Sequence, residues 1–115
     1  MPVHLAVVSE QFSERVTDRH GQPIALDQWT PPTAAEAPAA RRLADRVADA
    51  VRTLRLRLAG TPAGRDAPLR LAALSTTAAG TKLDADVAPL ALQSLDLDAA
   101  EGRAALLDAV RRLHP

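Results

Sequence analysis

The sequence predicts an α/β or α+β domain, a small sheet of two to three strands packed against a long amphipathic helix and a C-terminal helix. Three observations carry this reading. Val3 to Val8 is a short, nearly continuous apolar run with β-branched members, as in a strand covered on both faces. Leu43, Val47, Val51, Leu54 and Leu58 recur at steps of four, four, three and four, which places them on one face of a helix. Near the end, Leu106, Val110 and Leu113 make a second apolar stripe behind an acidic start.

Taken in order, Val3–Val8 is the first strand, and a buried strand needs neighbours on both sides. Ser9 to Glu14 is polar apart from Phe12, and a second extended segment centres on Val16. Asp18-Arg19-His20-Gly21 then supplies turn chemistry: Gly21 reaches positive φ cheaply, and Pro23 fixes its own φ while removing a donor. Gly21 and Pro23 are therefore the residues that shape this turn. Ile24 and Leu26 alternate with small or polar residues and face one apolar surface.

A helix is predicted from about Ala35 to Leu58, with Arg42, Asp45, Asp49 and Arg52 on its polar side. Its tail, Leu54-Arg55-Leu56-Arg57-Leu58, also alternates with period two, so the helix could stop near Thr53 and a strand begin. Residues 59–68, with Gly and Pro crowded together, read as a linker between a strand-turn-helix segment at 1–58 and a further segment at 69–115 that packs on the first as one domain. Within the latter, Leu69, Leu71 and Ala73 alternate as a short strand, Thr76 to Gly80 reads as loop, and Leu90 to Leu97 reads as extended. The terminal helix is expected from about Ala99 to Leu113, capped by Asp98 with Glu101 behind it. Gly102 weakens that helix by about 1 kcal/mol relative to Ala, so it needs a surface to dock on.

Composition narrows the function. The 14 basic and 14 acidic residues cancel and are mixed along the chain, which disfavours nucleic acid as a partner. There is no cysteine, so neither a disulfide framework nor thiolate chemistry is expected, and no apolar run is long enough to span a bilayer. A cytoplasmic protein, peripheral to a membrane at most, fits these features. Apolar residues make up 47% of the chain, but 25 residues are Ala, and Phe12 and Trp29 are the only aromatics. Alanine buries little area, so the core is thin and could be completed by a protein partner or by a second copy of the chain.

No serine nucleophile turn, phosphate-binding loop or metal-ligand spacing is present, and His4, His20 and His114 stand far apart in sequence. No catalytic residue, metal ligand or cofactor is assigned. The apolar face formed by Leu43, Val47, Val51 and Leu54 has two readings: packing within its own domain, or an interaction face for another chain.

The arrangement of residues 1–58 resembles the C-terminal portion of the glycerophosphate and lysophospholipid acyltransferase family. Met1-Pro2-Val3-His4-Leu5-Ala6-Val7 is similar to that family's late hydrophobic-Pro-hydrophobic block opening a buried strand. Arg15 to Asp27, with Gly21-Gln22-Pro23-Ile24, looks like its Gly-x-Pro-Ile turn, and Arg41 to Leu54 like the helix that follows. The resemblance implies that Met1, Pro2 and Val3 line an acyl region, and that an acyl thioester and a lipid acceptor are partners if the remainder of the family fold is supplied. The family's His-x-x-x-x-Asp base is missing: five positions after His4 stands Ser9, and five after His20 stands Ala25. The chain is thus expected to be inactive alone, either because Met1 marks an internal start in a longer frame or because the half-domain serves as an accessory subunit. Two alternatives are a small protein–protein interaction module and an enzyme using an amino-terminal Pro2 as its base, as in the tautomerases.

Overall fold

A computed structural model describes residues 3–25, 36–62, 64–77, 80–83, 92 and 95–113. Among them are four strands, β1 (Val3–Val8), β2 (Ser13–Arg15), β3 (Arg70–Thr77) and β4 (Gly80–Leu83), and two helices, α1 (Glu36–Leu58) and α2 (Ala100–Leu113). The strands form one antiparallel sheet in the order β2-β1-β3-β4, so the fold is α+β. β1 has the two neighbours its apolar run demands, with Val7 opposite Glu14 on one side and opposite Leu71 on the other.

Alternation along the strands sorts their side chains between two faces. Leu5 and Val7 of β1, with Leu71 and Ala73 of β3, point into the main core beneath the helices. Ala6, Val8, Ala72 and Leu74 form a second, smaller buried cluster on the opposite face. This two-sided burial explains why β1 reads as an unbroken apolar run.

α1 lays Leu43, Val47, Leu54 and Leu58 into the main core, and Val51 packs there partly buried. Pro38 lies in the first turn, where a missing N–H leaves no helical bond unmade. The helix runs to Leu58, and the period-two reading of its tail is not realised: Leu54 and Leu58 are buried, whereas Leu56 is 79% exposed. Leu54 and Leu58 lie four apart and share a helical face, and Leu56 cannot join them.

Within residues 59–68, those that the structure describes are tied to α1 by hydrogen bonds. The Thr61 amide and hydroxyl both donate to the carbonyl of Leu58, satisfying an acceptor that the last helical turn leaves open. A 3₁₀ turn at Gly64–Asp66 follows, with Gly64 at φ +54°, and the Arg55 guanidinium donates to the Ala67 carbonyl at 2.9 Å. Leu69, Leu71, Ala73, Leu106, Leu107 and Val110 then share one core with Leu5, Leu43 and Val47, so the two halves of the sequence build a single interior.

β3 is longer than its apolar alternation suggested, because pairing continues through Thr76 and Thr77 of the expected loop, and a further strand, β4, follows from Gly80. Thr76 and Thr77 are β-branched, which suits a ladder even without apolar alternation. The expected extended run at Leu90 to Leu97 lies partly outside the described residues; within it, Leu92 donates its amide to the Leu69 carbonyl and is buried. At the start of α2 the local bonding falls to Asp96. Its carboxylate accepts from the Asp98 amide and its carbonyl from the Ala99 amide, and Ala99 accepts the first helical bond from Arg103. Asp96, two residues earlier than the expected cap, therefore organises the approach to the helix.

Candidate functional site

The hairpin between β2 and α1 is built by Asp18. The Gly21 amide donates to the Asp18 carbonyl at 3.0 Å and the Asp18 amide to the Gln22 carbonyl at 2.8 Å, which makes a tight turn with Gly21 at φ +79°. The Asp18 carboxylate accepts from the amides of His20 (2.8 Å) and Gln22 (3.0 Å). These bonds, the one from Gln22 first, hold its carboxyl below the usual aspartate range. Thr17 and Pro23 face each other across the turn in an isolated antiparallel bridge.

Beyond the turn, the returning arm joins the sheet. Leu5 donates its amide to the Ile24 carbonyl at 3.1 Å and accepts from the Val16 amide at 2.9 Å, while Ile24 donates to the Val16 carbonyl at 3.0 Å. One edge of β1 is thus shared between β2 and the arm carrying Ile24 and Ala25. This junction fixes the turn relative to the sheet and sets it opposite the first half of α1.

Between turn and helix lies a cavity of about 610 Å³ lined by Asp18, Arg19 and Ile24 on one side and by Ala39, Arg42, Leu43 and Arg46 on the other. Arg42 and Arg46 are four residues apart and project from one flank of α1, while Arg19 comes from the hairpin tip. Ile24, Ala39 and Leu43 supply an apolar floor; Ala39 and Leu43 are themselves buried. Among the described residues three arginines and one aspartate line the cavity, and the aspartate's carboxylate is already engaged by two backbone amides. Arg46 also approaches Asp49 at 3.6 Å, and Asp49 pairs in turn with Arg52. Among the described residues neither Arg19 nor Arg42 has an ion-pair partner. A cavity of this size with an apolar floor and a few convergent polar groups has the character of a small-molecule site.

The residues singled out from the sequence are distributed otherwise. Met1 and Pro2 lie outside the described residues, and Val3 is a half-buried residue at the start of β1, packed against the main core and paired with Ser75. Of Leu43, Val47, Val51 and Leu54, three are buried and Val51 is partly so; the domain's own sheet and α2 occupy this face. Only Leu43 also reaches the cavity. Arg19 and Arg46 were not singled out. The pair Arg42 and Arg46, flanking a core leucine at one turn's spacing, is the signal that could have drawn attention to this flank of α1. Among the described residues no three His, Cys, Asp or Glu side chains converge to hold a metal ion, and no helix is long and apolar enough to cross a membrane.

The site and fold define an α+β domain with a basic, apolar-floored pocket. Compared with known proteins, the chain matches no family model, no curated protein and no solved structure.

Proposed function

We propose that this chain is a binding domain without catalytic machinery of its own, whose pocket takes a small molecule joining a negatively charged head to an apolar body. The observation that carries the reading is the convergence of Arg19, Arg42 and Arg46 on one cavity floored by Ile24, Ala39 and Leu43. Planar guanidinium groups match carboxylate and phosphate oxygens in pairs, and the floor offers a surface from which an apolar body would exclude water. Because the arginines are solvent-accessible, affinity is modest and falls with salt. A cytoplasmic setting belongs to the same proposal.

The test is isothermal titration of the purified chain with hexanoate, hexyl phosphate and hexanol at low ionic strength. The anions are expected to bind and hexanol to bind at least about tenfold more weakly, a difference of about 1.4 kcal/mol. Arg42→Gln, at an exposed position on α1, and Arg46→Gln, at a half-buried one, are expected to weaken the anions selectively. Equal binding of the alcohol, or anion binding indifferent to both substitutions, would overturn the proposal.

A second reading keeps the acyltransferase-like segment. It is favoured by the order of a buried strand, a hairpin at Gly21 and Pro23, and α1, which follows the order of that family's late blocks. On this reading the pocket serves a larger catalytic assembly, and the His-x-x-x-x-Asp base comes from elsewhere. Acyl transfer from a thioester donor by the purified chain alone would remove it.

A further inference from the structure

Among the described residues Asp18 is the one acidic group lining the cavity between the hairpin and α1, and its two carboxylate oxygens differ in their bonding. The amides of His20, at 2.8 Å, and of Gln22, at 3.0 Å, both donate to Oδ1. Among the described residues Oδ2 receives no donor, and no ion pair forms on it. The Gln22 amide, and after it that of His20, hold the carboxyl below the usual aspartate range, and the charge of Arg46 on the opposite wall acts in the same direction. Near neutrality the cavity therefore contains an ionised oxygen with unused acceptor capacity.

A carboxylate in that place opposes a ligand that is only an anion, because it repels the head that the arginines attract. A positive group beside the anionic head turns the same oxygen into a partner. Arg42, from the helix flank, and Arg19, from the hairpin tip, bring guanidinium donors to the cavity from two sides, and neither has an ion-pair partner among the described residues. Ile24, Ala39 and Leu43 leave an apolar surface next to them. Acceptor oxygen, guanidinium donors and apolar floor together complement a molecule that carries ammonium, carboxylate and an apolar side chain on one carbon.

We propose that the pocket takes an apolar α-amino acid, a choice that rests on reading the cavity as a site for an amphipathic anion. The ammonium donates to Asp18 Oδ2, the carboxylate accepts from Arg19 and Arg42, and the side chain lies on Ile24, Ala39 and Leu43. Norleucine and hexanoate share one carbon chain and differ by the ammonium, so the pair isolates the part played by Asp18. Titration calorimetry of the full chain at low ionic strength is expected to show norleucine binding about tenfold more tightly than hexanoate. N-acetylnorleucine, which keeps the carboxylate and the chain without the positive charge, is expected to lose that advantage. Asp18→Asn keeps an oxygen for the two amides and puts an NH₂ donor in place of Oδ2. It is expected to weaken norleucine about tenfold while hexanoate binds as tightly as before or more so, whereas a merely structural loss weakens both. Norleucine no tighter than hexanoate, or no tighter than its N-acetyl form, overturns the proposal. If hexanoate is then still bound, and weakened by Arg42→Gln, the broader reading of the pocket survives that failure. If neither ligand binds, both fall. Should circular dichroism show that Asp18→Asn fails to fold, the N-acetyl comparison on the wild type decides.

Discussion

Gly102, in the first turn of α2, lies against the backbone of Asp96 so closely that a Cβ built on it would stand 1.9 Å from the Asp96 carbonyl oxygen and 2.7 Å from the carbonyl carbon. The glycine is buried, and its φ is not positive, so its role is close approach and not an unusual backbone conformation. Asp96 is the residue whose carboxylate and carbonyl arrange the turn into the helix. The same bonded backbone therefore starts α2 and excludes any side chain at position 102.

Gly102→Ala is accordingly expected to destabilise the domain by about 1–3 kcal/mol, although alanine favours a helix interior. The obstacle is backbone, which cannot swing aside as a flexible side chain can. Urea denaturation should show a lower midpoint at an unchanged slope. A midpoint equal to or above that of the wild type would mean that α2 can shift away from Asp96 freely.

The tail of α1 provides a paired test of helix against strand. Leu54→Ala, at a fully buried position, is expected to cost about 2–5 kcal/mol. Leu56→Ala, at the exposed position, is expected to stay within about 0.5 kcal/mol of the wild type. Comparable losses from both substitutions would restore the period-two reading.

Asp18 ties stability to acid pH. Its carboxyl is held below its ordinary value by the amides of Gln22 and His20, so the unfolded chain takes up this proton at a higher pH than the folded one. The contribution of Asp18 is therefore fully present above the unfolded value of about 3.9 and is lost as the pH falls through the lower folded value. The gap in urea midpoint between the wild type and Asp18→Ala is expected to be constant near neutrality and to shrink in the acid range. A gap that grows on acidification would contradict the hydrogen-bonded turn.

Much of the local structure is written in residue spacing. The continuous run Val3–Val8, the three-and-four spacing from Leu43 to Leu58 and the stripe ending at Leu113 mark a buried strand and two helices within one or two residues of where they lie. The Asp18-to-Gly21 turn is equally legible, because few residues tolerate its backbone. β4 and the end of β3 are not, since their pairing carries no apolar alternation there. The ambiguous tail of α1 shows the same limit: two periodicities coexist in five residues, and burial against the sheet selects one.

The pocket belongs to the other category. Arg19 and Arg42 are separated by more than twenty residues, and nothing local says that a hairpin tip and a helix flank will face each other. By itself the sequence determined a mixed helix-and-strand fold, the helical faces and the turn, because these depend on short-range sterics and on which side chains leave water. Tertiary structure alone decided that Ile24 joins β1 at Leu5, that Arg57 crosses the edge of β2, and that three arginines share one cavity. Those outcomes depend on how distant segments pack, and packing is settled by the whole core at once.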